Sequence, residues 1–120
     1  MNVPDSFYCL IPQTGKGTIA LESVYIPKRV ESVRVATVCL DVLPHNTLLE
    51  GNLSVRGIKS VILPKSKSKE HSESFSRLHY LPMDCSNKDS IHVSLVDEGG
   101  NLLKMVNDAF MLFHIRMESL

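Results

Sequence analysis

Apolar and polar residues alternate over short stretches of this chain, and the clearest stretch lies in its C-terminal part. Residues 90–96 alternate as a strand with one buried face does, and residues 97–101 (Asp-Glu-Gly-Gly-Asn) are of the types found in tight turns. The apolar run 102–106 completes a predicted β-hairpin, and residues 109–116 form a third predicted strand. The C-terminal part is therefore predicted to be β-rich.

Further strand-like segments, separated by Pro, Gly and Asn, bring the total to about eight. They lie at residues 7–11, 18–26, 33–42, 60–63 and 75–81, with residues 48–49 and 53–56 on either side of a predicted hairpin tip at Gly51-Asn52. The apolar phase slips near Glu22–Ser23 and near Ala36–Thr37, which predicts a β-bulge at each place. Residues 82–89 are predicted to be a loop.

No segment has the 3.6-residue period of an amphipathic helix, so the crossover helices of a parallel sheet are missing. We therefore predict an all-β fold. It is a single antiparallel β-sandwich, jelly-roll-like, with about eight strands and with residues 1–120 in one domain.

Residues 65–74 are the one low-complexity segment, and they contain no apolar residue. They cannot contribute to a core, so we predict an exposed, mobile loop. Lys65, Lys67 and Lys69 make this loop a candidate contact for an acidic or phosphate-bearing partner, and its serines are candidate phosphorylation sites. A solvated loop without a specific role is the simpler interpretation.

The charges of the chain balance, with 13 basic and 13 acidic residues. We do not expect nucleic acid as the main partner, because nucleic-acid-binding domains usually carry a basic surplus. A neutral surface gives little repulsion between copies and so favours a homo-oligomer or a larger assembly. Three cysteines exclude complete intramolecular pairing, and Cys9 and Cys39 lie in apolar runs that predict buried thiols. The lack of a signal-peptide pattern and of a long apolar run predicts intracellular synthesis and no membrane span.

The residue patterns of common catalytic sites are missing. Gly15-Lys16-Gly17-Thr18 lacks the spacing of a phosphate-binding loop, and no serine lies in a Gly-x-Ser-x-Gly motif. We expect no enzyme, no catalytic residue, no cofactor and no small-molecule substrate. His92 and His114 lie in two predicted strands that we expect to be neighbours, yet zinc would need further converging ligands, so no metal site is expected.

The predicted strand at residues 109–116 carries bulky apolar residues on both of its faces. Such a strand is central in a layered protein, covered by a partner subunit, or tucked under a loop. Phe110, Leu112 and Phe113 are therefore the candidate interface residues.

Segments near both ends of the chain resemble capsid-like proteins of Polinton-type elements and related eukaryotic DNA viruses. The segments are Phe7-Tyr8-Cys9-Leu10-Ile11-Pro12, the hairpin at 91–101, and Phe113-His114-Ile115-Arg116. The resemblance implies a capsid-type jelly roll that works by oligomerising, has no catalytic residues and is located in a virion.

These observations leave three hypotheses of function. The leading one is a non-enzymatic structural or assembly protein that oligomerises through its β-sandwich, as a viral or virus-derived capsid component does. The second is a monomeric binding module that recognises a protein, peptide or glycan through its loops. The third is a metal-dependent, cupin-like enzyme.

Overall fold

The structure is a computed structural model. It describes residues 14–27, 33–44, 56–66, 69–86, 90–103 and 109–118, together with the backbone of residues 6–10. Within these ranges the protein contains eight strands and no helix, which confirms the predicted all-β class. In chain order the strands are β1 (Ser6–Leu10), β2 (Lys16–Ile26), β3 (Val35–Leu40), β4 (Gly57–Ile62), β5 (His71–Ser74), β6 (Leu81–Asp84), β7 (Ser90–Val96) and β8 (Phe110–Met117).

The strands form two antiparallel sheets that face each other as a β-sandwich. The β3 sheet has the strand order β1-β7-β3-β4. In the β2 sheet, β8 pairs along one side of the long strand β2, while β6 and then β5 pair along its other side. The jelly-roll connectivity stays a prediction.

One apolar cluster fills the space between the sheets. Alternate residues of each strand supply it, because successive side chains of a strand point to opposite faces. From the β3 sheet come Ala36, Val38, Leu40, Val61, Ile91, Val93 and Leu95, and from the β2 sheet come Ile19, Leu21, Val24, Ile26 and Met83. Each fully buried Val, Leu or Ile stabilises the fold by about 1.5–3 kcal/mol through the hydrophobic effect.

One of the two predicted bulges is where the pattern places it. The register between β2 and β8 shifts between Leu21 and Ser23, so Glu22 is the extra residue. The second prediction is wrong: β3 pairs without an extra residue, and the register shift at Val38/Cys39 leaves Ile58 of β4 as the extra residue. Thr37 and Cys39 are buried on the face of β3 away from the main core, so both faces of β3 exclude water and the period of two is hidden.

The segment after β4 differs most from its prediction. The predicted loop at 65–74 contains β5, the predicted strand at 75–81 is irregular until Leu81, and the predicted loop at 82–89 begins inside β6. The cause is β2, whose eleven residues provide enough open backbone for two short strands. Backbone hydrogen bonds form whatever the side chain is, so a polar sequence can pair there.

The turn at 97–101 is confirmed. The Asp97 backbone N–H donates to the Asn101 carbonyl oxygen at 2.9 Å, and the Asp97 carboxylate accepts from the backbone N–H groups of Gly99 and Asn101. Gly100 has a φ of 82°, a conformation that glycine adopts without strain. Leu102 then pairs back with Val96, the Leu103 N–H donates to the Leu95 carbonyl oxygen at 2.8 Å, and residues 104–108 lie outside the described residues. The third predicted strand exists as β8, but it belongs to the other sheet.

Candidate functional site

Strand β8 forms a lateral edge of the β2 sheet, because among the described strands it pairs only with β2. Its side chains alternate along the whole strand. The odd-numbered residues Met111, Phe113, Ile115 and Met117 pack against the core, and the even-numbered residues Phe110, Leu112, His114 and Arg116 are exposed on the outer face. We call this strand with its outward backbone groups the β8 edge.

The backbone of β8 also alternates between its neighbour and the open side. The Glu118 N–H donates to the carbonyl oxygen of Lys16, the residue opposite it, at 2.9 Å. In an antiparallel ladder, hydrogen-bonded pairs alternate with pairs whose N–H and C=O groups point away from each other. The even-numbered residues of β8 therefore bond to β2, and the odd-numbered residues direct their N–H and C=O groups to the open side.

The other edges with described side chains carry features that oppose pairing with another chain. Strand β5 has four residues and places His71 and Glu73 on its inner face, with their side chains 3.0 Å apart. Strand β6 also has four residues and contains Pro82, which has no N–H. Strand β4 points Lys59 inward, with its ammonium 4.4 Å from the centroid of the Phe75 ring. Inward charges, proline and short length are the usual protections of edge strands.

Strand β8 has none of these protections. It runs for eight residues without a proline, and its core-facing side chains are all apolar. Its two polar outer side chains lean over β2, away from the open side. The Arg116 guanidinium lies 4.0 Å from the centroid of the Tyr80 ring, beyond β2, and His114 Nε2 lies 3.1 Å from Glu22 Oε1 on β2. The open side of β8 is therefore left uncovered by its own polar side chains.

The three candidate interface residues lie on two faces of β8. Phe110 and Leu112 are 62% and 44% exposed on the outer face, whereas Phe113 is half-buried against the core. The candidate partner loop is described in part. Lys65 and Lys69 are exposed, and Lys67 lies outside the described residues.

The two histidines that we expected to be neighbours are in different sheets. His92 lies in β7 of the β3 sheet and His114 in β8 of the β2 sheet, so the expected cross-strand pair is wrong. Strand order depends on pairing between distant segments, which alternation within a strand does not encode. In the part of the chain that the structure describes, no group of three His, Cys, Asp or Glu residues is arranged to hold a metal ion. No helix of these residues is long and apolar enough to span a membrane.

A cavity of about 480 Å³ opens at one end of the sandwich, where β3 ends beside the start of β2 and the end of β6. The Arg56 guanidinium donates to the carbonyl oxygen of Leu43 at 2.7 Å and so holds the end of β3. On the opposite wall, the hydroxyl and the backbone N–H of Ser86 both donate to the Asp84 carboxylate, at 2.6 and 3.0 Å. These hydrogen bonds lower the pKa of Asp84, and the nearby Lys16 ammonium adds to the effect. The lining thus presents the Asp84 carboxylate and the Lys16 ammonium, together with Asp41 and Arg56, to a small polar group.

Both described cysteines are buried: the apolar run around Cys39 predicts this, whereas Cys85 lies between Asp84 and Ser86 in the sequence. Burial raises the pKa of the Cys39 thiol to about 11, and Cys85 Sγ lies 3.1 Å from the Gly15 carbonyl oxygen. Cys39 is a free thiol. The side chain of Cys9 lies outside the described residues.

No protein-family model, curated protein or solved structure matches this chain. Function is therefore inferred from the β8 edge and the end cavity.

Proposed function

We propose that this protein is a non-enzymatic structural or assembly protein that associates with further copies through the β8 edge. The observation that carries this proposal is the contrast between the edges: β4, β5 and β6 are protected, and the longer β8 is not. An exposed strand edge is a template for pairing with another chain. Here Phe110 and Leu112 add exposed apolar area beside that template.

Two features of the sequence support the same function. The formal net charge is zero, so copies do not repel each other strongly near neutral pH. The resemblance of the chain ends to capsid-like proteins of eukaryotic DNA viruses supports a viral or virus-derived capsid component as the specific form of the assembly. Electron microscopy of the assembled protein would test that form, with a closed shell as the expected result.

The molar mass in solution tests self-association directly. We expect light scattering after size exclusion, at two protein concentrations, to give a mass of at least twice the 13.4 kDa of one chain. The double substitution Phe110→Ser and Leu112→Ser should lower that mass, because it removes the apolar area beside the edge. Ile62→Ser is the matched control, because Ile62 is 70% exposed but lies on the protected strand β4. A monomer at both concentrations would contradict the proposal.

The end cavity favours a second candidate function, a monomeric module that binds a peptide, protein or glycan. Its support is the pairing of an ammonium and a carboxylate, Lys16 and Asp84, at the rim of a concave surface. The test is titration of the isotope-labelled protein with short peptides and oligosaccharides. Amide shift changes confined to Lys16, Asp84 and Ser86 in a monomeric protein would favour this function over assembly.

A further inference from the structure

We propose that the occupant of the β8 edge is the β8 edge of a second copy, antiparallel to the first, about a two-fold axis that passes at Phe113. The two β2 sheets then join into one continuous sheet across the dimer. This inference rests on the proposed assembly function and adds the partner, the direction and the register of the contact.

The backbone of β8 is self-complementary in this arrangement. A two-fold axis makes a contact in which both copies use the same surface. With the axis at Phe113, residues whose numbers add to the same even total lie opposite each other, so odd-numbered residues meet odd-numbered residues. Met111 then faces Ile115 of the second copy, and Phe113 faces Phe113. These residues carry the N–H and C=O groups that point to the open side, so each such pair exchanges two hydrogen bonds.

The outer side chains select this register. Phe110 comes to lie opposite Arg116 of the second copy, and Leu112 lies opposite His114. In this register no two like charges face each other. An axis at His114 would instead place two His114 side chains opposite each other. An axis at Leu112 would leave fewer described residues of the two β8 strands paired with each other.

The core-facing side chains of β8 also favour a second copy as the strand that pairs with the β8 edge. Met111, Phe113 and Ile115 are only half-buried in one copy, although they pack on the core. Pairing of two β8 edges would continue this apolar row into the same row of the second copy. A partner strand with inward charges, of the kind found in β5, would place those charges against the core and would be rejected.

Disulfide cross-linking tests the register. The outer, even-numbered residues form the non-hydrogen-bonded pairs of the β8–β8 ladder, whose Cα atoms are about 4.5 Å apart, within the range of a disulfide. We would prepare Leu112→Cys and His114→Cys as separate proteins, and oxidise each alone and both mixed in equal amounts. Wild type under the same oxidant is the control for the native cysteines. Light scattering of the unoxidised samples gives the mass, and peptide mass spectrometry locates each disulfide.

The mixture should form a disulfide between the two introduced cysteines, one from each variant. We expect its yield to be at least roughly fivefold above that of either protein alone, because a residue and its own copy are then a diagonal pair about 7–8 Å apart. Cross-linking of Leu112→Cys alone or of His114→Cys alone would place the axis at that residue and overturn the Phe113 register. An oligomeric mass with no disulfide from any sample would overturn β8 pairing and leave assembly through another surface. Monomeric samples would overturn both the pairing and the proposed function.

Discussion

Gly17 lies where β2 passes between two neighbouring strands, opposite Met83 of β6 and Met117 of β8. A Cβ atom added there would clash with the Arg116 carbonyl oxygen and would lie 3.0 Å from the Met117 Cα. Both are backbone atoms, so neither can rotate away. Gly17→Ala must therefore push the end of β8 away from β2.

The size of the effect follows from two opposing contributions. Overpacking a tight site lowers the free energy of unfolding by about 1–3 kcal/mol. Replacing glycine by alanine lowers the entropy of the unfolded chain and so raises the free energy of unfolding by about 0.4–1 kcal/mol. We expect Gly17→Ala to lower the free energy of unfolding by about 1–2 kcal/mol, which corresponds to a fall in Tm of roughly 4–8 °C for a domain of this size.

Urea unfolding followed by circular dichroism measures this free energy, with all variants at one protein concentration because association shifts apparent stability. Gly99→Ala is the matched control. Its added Cβ would meet only side-chain atoms, the Asn101 Nδ2 at 3.1 Å and the Asp97 Oδ1 at 3.5 Å, and these can move. Its stability should stay within about 0.5 kcal/mol of wild type. Equal stability of the two variants would refute the close contact between β2 and β8.

Four other outcomes follow from single contacts. Leu95→Ala should cost about 2–5 kcal/mol in urea unfolding, because Leu95 is fully buried in the core. Ser86→Ala should raise the pKa of Asp84 towards its ordinary 3.8 in an NMR titration. Folding lowers the pKa of Asp84, so its contribution to stability is present above pH 3.8 and is lost as the pH falls through the lower folded value. In the variant the difference between the folded and unfolded pKa values is smaller, so this contribution above pH 3.8 should be smaller. Cys39 should react with a thiol reagent at pH 8 only after unfolding, as mass spectrometry of the labelled peptide would report, because burial raises its pKa to about 11. Glu73→Val removes an inward charge from β5, so the molar mass at a fixed concentration should rise.

The sequence predicts two of the strands closely. Residues 90–96 alternate between apolar and polar, residues 109–116 are a run rich in bulky apolar side chains, and both are strands within one or two residues of their predicted bounds. The bulge at Glu22 could also be predicted, because one extra residue inverts the phase of everything that follows it. Strands β5 and β6 could not be predicted, since their pairing depends on the length of β2 and not on their own hydropathy.

The candidate site could be predicted only in part, because an edge is a property of strand order. Phe110 and Leu112 were identified by their bulk, and they are exposed. The exposure of the β8 backbone depends on which strands flank β2, which involves residues up to a hundred positions apart in the chain. The inward direction of Lys59 and Glu73 likewise follows only from the register with β3 and β2.

The polar segment around β5 has a physical role that its composition conceals. His71 and Glu73 lie opposite Ile26 and Val24 of β2, on the face of the sheet that covers the core. Apolar residues at these positions would bury more apolar surface in the core, but they would also make β5 a second edge strand able to pair with another chain, on the same sheet as β8. With β5 and β6 closed to pairing, the β2 sheet has one open side among its described strands. A sheet with one open side forms closed pairs with a second copy, whereas a sheet open on both sides can add copies without limit. In the proposed dimer, the polar composition of residues 71–74 and the apolar composition of β8 therefore have complementary effects: β5 limits growth of the sheet, and β8 supplies its contact with the second copy.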